Sequence, residues 1–100
     1  MASGAPDYSQ ITISSGSDFE QKKISATATE ATTSYTQKVK SVLFFNDGPN
    51  AVHLNFGATA TTNHFKMVAK SWFFIDIPLI DIHTKCATSE TATVYAIGVY

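Results

Sequence analysis

Three histidines (His53, His64 and His83) and two carboxylates (Asp76 and Asp81) are the residues whose chemistry could hold a metal ion. A zinc site needs three or four such ligands on one frame. Only Asp81 and His83 are close in sequence, and alternate positions on one strand face supply two ligands at most. Exposed polar positions account for all five residues equally well. Hydroxyls are so frequent that a serine, a histidine and a carboxylate in one chain carry no weight as a triad, and no G-x-S-x-G turn surrounds any serine. The five glycines are scattered, so no phosphate-cradling loop is visible. Cys86 is the one cysteine, which excludes an intramolecular disulfide and a cysteine-only zinc site. Its apolar neighbours predict a buried, inert thiol. The expectation is no enzyme, no metal and no cofactor.

The frame around these residues is small. One hundred residues make one domain. The apolar fraction of 44% is ordinary, but charged residues reach only 15%, against an average of about 25%. Serine and threonine fill the difference, which suits β-structure and broad flat contacts. A net charge of −1 gives no general attraction to nucleic acid or anionic membrane. The N-terminus has neither a basic nor an apolar signal region, and no apolar run approaches the ~20 residues of a membrane helix. The expectation is a chain made in soluble form in a reducing compartment.

Periodicity is that of strands throughout. Residues 1–9 read as a loose N-terminal arm, and 10–100 as a single domain. Gln10–Ser14 alternates, with Ile11 and Ile13 inward. Phe19–Ile24, continued by Ile24–Thr29, reads as a second strand. Ala31–Ser34 reads as a turn or linker. Tyr35–Asn46 reads as one long strand, apolar on both faces from Val42 to Phe45. The residues Asn46, Asp47, Gly48, Pro49 and Asn50 have turn chemistry. Asn and Asp bond their own backbone, Gly admits positive φ, and Pro lacks a ladder donor. They predict a β-hairpin to Val52, Leu54 and Phe56, with His53 and Asn55 on the wet face. Further strands follow at His64–Val68 (Phe65 and Met67 inward) and at Trp72–Pro78, where Pro78 marks an edge, a bulge or a boundary. Beyond it Ile80, Ile82, Thr84 and Cys86 share the inner face, and Asp81, His83 and Lys85 the outer. Thr91–Tyr100 is the last strand. The expected fold is all-β: one small, mostly antiparallel β-sandwich or barrel, jelly-roll-like.

Aromatic residues are in surplus. Trp72, Phe73 and Phe74 in succession cannot all enter one core, because neighbours on a strand point to opposite faces. Tyr95, Ile97 and Val99 stand opposite Val94 and Ala96 in the same way. Either these are middle strands covered on both sides, or one apolar face is an intersubunit contact. The contact reading is preferred, with Phe44, Trp72, Phe74, Tyr95, Ile97 and Val99 as its candidates for a subunit or capsid contact.

Four segments carry a resemblance: Leu43-Phe-Phe-Asn-Asp-Gly-Pro-Asn-Ala-Val-His-Leu-Asn-Phe, Ala58-Thr-Ala-Thr-Thr, Ile80-Asp-Ile-His with Cys86, and Glu90-Thr-Ala-Thr-Val-Tyr. Over residues 38–100 the chain resembles small β-rich structural proteins of tailed bacteriophage particles, of the capsid decoration, cement or tail-associated kind. It departs from them at Val68-Ala-Lys-Ser, where relatives carry a Pro-Gly turn. The resemblance implies a virion component, made in the bacterial cytoplasm, with no nucleic-acid or membrane partner. It binds the assembled major capsid protein and copies of itself, as a trimer, and bridges neighbouring capsomers. A tail, neck or baseplate component of the same particle is the first alternative. A glycan- or receptor-binding β-sandwich is the second.

Overall fold

The computed structural model describes residues 18–100. The expected arm at residues 1–9 and the strand expected at Gln10–Ser14, with Ile11 and Ile13, lie outside the described residues. Eight strands follow: β1 (Phe19–Ala26), β2 (Ala31–Val39), β3 (Ser41–Pro49), β4 (Val52–Phe56), β5 (Phe65–Met67), β6 (Trp72–Ile75), β7 (Leu79–Lys85) and β8 (Ala92–Val99). They form two four-stranded antiparallel sheets. Sheet A has the order β1-β8-β3-β6 and sheet B the order β2-β7-β4-β5. The chain changes sheet at every connection except β4–β5. That winding is a jelly-roll β-sandwich, within the sandwich-or-barrel class expected from the strand and turn spacing.

The core lies between the sheets. Sheet A contributes Ile24, Ala26, Val42, Phe44, Ala92, Val94 and Ala96; sheet B contributes Tyr35, Val39, Val52, Leu54, Met67, Leu79 and Ile82. Cys86, just past β7, is fully buried with them. Each large side chain buried this way stabilises the fold by about 1.5–3 kcal/mol. At Gly98 the sheets approach so closely that a Cβ would stand 2.8 Å from both Tyr35 Cζ and Val39 Cγ1.

The segment Asn46–Asn50 is not a hairpin turn. β3 pairs with β6 and β8, whereas β4 pairs with β5 and β7, so the two strands belong to different sheets. Asn46, Asp47, Gly48 and Pro49 extend β3 itself, and the chain crosses over at Asn50 and Ala51. Their local bonding serves a bulge instead of a reversal. Register against β8 shifts between Asn46 and Gly48. Gly48 takes φ +87° and its amide donates to Asn46 Oδ1 at 2.8 Å. Asn46 is fully buried, and its Nδ2 donates to Met67 O (2.8 Å) and Asn50 O (2.9 Å). The side chain thereby ties the end of β3 to β5.

Four other expectations change. Ala31–Ser34 is the first half of β2, paired with Asp81–Thr84. Side-chain bonds across that pair, Ser34 Oγ to Asp81 Oδ1 at 2.6 Å and Thr32 Oγ1 to His83 Nδ1 at 3.1 Å, fix what strand propensity leaves open. Tyr35–Asn46 is two strands broken at Lys40, because β2 and β3 lie in opposite sheets. Ile80 is exposed, at 40%, because Leu79 takes the inner position opposite Val39 where the β2–β7 register shifts. Phe65 is likewise exposed at the sandwich margin, its ring 4.4 Å from that of Phe73. Pro78 immediately precedes β7 and is a strand boundary.

Candidate functional site

Strand alternation sends Phe44 and Phe73 inward and their chain neighbours outward. Phe44 is fully buried in the core, stacked 6.1 Å from Phe73, and so leaves the set of contact candidates. Its neighbours Leu43 and Phe45 take the outer face instead, a pair that sequence reasoning missed because Val42-Leu-Phe-Phe is apolar at every position and only the pairing of Phe44 with Phe73 and Ala96 sets its parity. The remaining candidates come together. On the outer face of sheet A the register makes three cross-strand rows. Lys23, Tyr95, Phe45 and Trp72 form the first, and Gln21, Ile97, Leu43 and Phe74 the second. Phe19, Val99 and Ser41 form the third.

The centre of this face is apolar. Phe19 is 50% exposed, Phe74 46% and Tyr95 40%. The rings of Phe45 and Trp72 lie 4.3 Å apart between centroids, and Leu43 is largely covered by its neighbours on the face. Phe45, Trp72, Tyr95, Leu43 and Ile97, with Gln21 at the side, surround a shallow depression of about 240 Å³. The polar side chains of the face are Gln21 and Lys23 on the β1 margin, Ser41 in the third row, and Ser25 and Thr93 in a row beyond Tyr95. Near the end of β1 Lys22 Nζ lies 3.2 Å from Glu20 Oε2. Thr36 donates to Glu20 through both its amide and its hydroxyl, at 3.1 and 2.9 Å. Desolvation alone would raise the Glu20 carboxyl, but these donors and Lys22 outweigh it and hold the group below its usual range.

The outer face of sheet B is chemically opposite. Thr32, His83 and Asn55 share one row, and Lys85, His53 and Lys66 another. The three histidines gather on this side and serve the loops that cover it. His83 Nδ1 lies 3.0 Å from Glu30 Oε2, which also accepts the Ala60 amide at 3.2 Å. His64 Nδ1 accepts the Thr61 amide at 2.8 Å, and His53 Nδ1 is 3.1 Å from His64 O. His53, expected on a wet face, is therefore 92% covered: the Gly57–His64 loop folds back over it. Among the described residues no three His, Cys, Asp or Glu side chains are grouped to hold a metal ion. A second apolar depression, of about 270 Å³, lies where Phe56, Ile77, Pro78 and Ile80 meet at the end of the sandwich. Among the described residues no helix is long and apolar enough to cross a membrane.

No protein-family model and no curated protein matches this chain.

Proposed function

We propose that the chain is a structural component of a bacteriophage virion. It is a capsid decoration or cement protein that binds the assembled major capsid shell and copies of itself, with the outer face of sheet A as its assembly contact. The observation that carries this reading is the contrast between the two outer faces. Sheet B turns hydroxyls, amides and charges outward. Sheet A turns outward Phe19, Leu43, Phe45, Trp72, Phe74, Tyr95, Ile97 and Val99. Isolated apolar residues on a surface are unremarkable, but a contiguous sheet face of them marks a binding surface. The titratable groups that approach one another tie strands and loops together, which fits a structural role. The virion location rests on the sequence resemblance, and the jelly roll, a frame used by capsid domains and lectins alike, is compatible with it by analogy alone.

Such a protein works by mass action. It binds the assembled shell and not free subunits, so each bound copy shifts the equilibrium toward the intact particle. The test is to sediment purified protein with expanded shells and, separately, with unassembled capsid protein. Co-sedimentation with shells alone, accompanied by a higher shell melting temperature, supports the reading. Protein left in the supernatant at saturating concentration contradicts it.

A second reading, a glycan- or receptor-binding sandwich, is favoured by the aromatic floor of the sheet A depression. Phe45, Trp72 and Tyr95 offer rings on which a sugar stacks. Glycans also require many hydrogen bonds, and Gln21 and the Tyr95 hydroxyl are the few groups placed to supply them.

A further inference from the structure

The outer face of sheet A is complementary to itself, and we infer that a second copy of this chain covers it, the two sheets packing face to face about a two-fold axis parallel to the strands. The inference rests on the assembly reading, since it uses the same face, but needs no virion. Across the face the polar margin is β1, with Gln21 and Lys23, and the aromatic margin is β6, with Trp72 and Phe74. Rotation by half a turn about an axis along the strands reverses strand order and preserves the rows. It places β1 of one copy over β6 of the other. Lys23 then lies over the second copy's Trp72, where ring and cation attract, and Tyr95 lies over Phe45. In the next row Gln21 faces the second copy's Phe74, and Ile97 faces Leu43. The alternative two-fold, perpendicular to the strands, stacks β1 on β1 and reverses the rows, so that Gln21 meets Gln21 in the central row and Trp72 falls at the third row, where β6 has no paired residue.

Area agrees with this pairing. Four strands at about 4.8 Å and three rows at about 6.8 Å give a face of roughly 400 Å² in projection, which side-chain relief enlarges. Two copies covering each other bury about 1,000 Å², the threshold of a specific interface. A pair of this size is concentration-dependent. A closed two-fold contact uses one patch twice, whereas a three-fold ring requires a second, different patch on each copy. The outer face of sheet B is polar apart from Ile80, and the second apolar patch, around Phe56, Ile77, Pro78 and Ile80, lies at the end of the sandwich.

The test uses the whole purified chain. Sedimentation equilibrium over a wide concentration range is expected to give a monomer–dimer equilibrium, weakened at least tenfold by Tyr95→Asp with an unchanged far-UV circular dichroism spectrum. Facing sheets stand about 10 Å apart, beyond the reach of a disulfide and within that of a short bismaleimide. Gln21→Cys protein mixed with Phe74→Cys protein is therefore expected to cross-link into a covalent dimer, and neither variant alone to do so. Three results overturn the inference: a monomer at all concentrations, a trimer, or cross-linking of Gln21→Cys with itself. Failure here with shell binding intact removes the two-fold pair and leaves the decoration role. Dimerisation without shell binding does the reverse.

Discussion

Gly98 of β8 lies directly against the ring of Tyr35 in the opposite sheet, with no room for a methyl group between them. A Cβ there would come within 2.8 Å of Tyr35 Cζ and of Val39 Cγ1, both on buried residues. Gly98→Ala must therefore push the sheets apart or force side chains off their rotamers. The expected loss is about 1–3 kcal/mol, equivalent to about 4–8 °C of melting temperature for each kcal/mol in a domain of this size. Urea and thermal unfolding measure it, and an unchanged midpoint would mean that the sheets give way easily.

Tyr35 carries a cost of its own. Its hydroxyl is buried without a hydrogen-bond partner among the described residues, so Tyr35→Phe is expected to be neutral or to stabilise by up to about 1 kcal/mol. Burial pushes the phenol far above its ordinary value, and the Glu20 carboxylate adds to the shift. Above pH 10 the unfolded chain therefore releases a proton that the folded chain keeps. Stability falls there as pH rises, by about 1.4 kcal/mol per pH unit for this one group. Comparing Tyr35→Phe with the parent between pH 9 and 11 checks the sign: the gap should widen in favour of the variant.

Asn46 is the buried polar residue on which the end of β3 depends. Asn46→Ala leaves Met67 O, Asn50 O and the Gly48 amide without their partner. The expected loss is about 2–4 kcal/mol. Hydrogen exchange should locate the loosening at β5 and at the crossover following Pro49. A variant as stable as the parent would show that water replaces all three bonds.

The Cys86 thiol is fully covered. Burial pushes its pKa up, the Glu90 charge adds to this, and Lys85 offsets part of it. In the folded chain a disulfide reagent should modify it slower than in the denatured chain by about a thousandfold or more, in line with the small fraction of time the domain is open. Rapid labelling without denaturant would contradict the packing around β7.

The all-β class, the alternation of β8 and of β7 from Ile82 onward, and the two-sided strands β3 and β6 are legible in the chain because strand period decides which residues share a side. Trp72, Phe74, Tyr95, Ile97 and Val99 accordingly share a face as expected. Phe44 was misplaced within the same pattern: Val42-Leu-Phe-Phe is apolar at every position, so its own composition does not say which parity faces the core. The neighbouring strands decide it, through the pairing of Phe44 with Phe73 and Ala96. Pairing partners were the other blind spot. The turn chemistry of Asn46–Asn50 is real, but local propensity does not distinguish a reversal within one sheet from a bulge followed by a crossover between two. That choice belongs to long-range register, as does the shift between Ser34 and Val39 that turns Ile80 outward.

The most direct measurement is immunogold electron microscopy, with copy number per particle, on virions from a culture that produces this protein. Dense label spread over the head at many copies per particle is the expected result. Label confined to neck or tail would transfer the assembly role to another part of the particle. Particles carrying no label would contradict the virion role altogether and bring the glycan-binding sandwich forward.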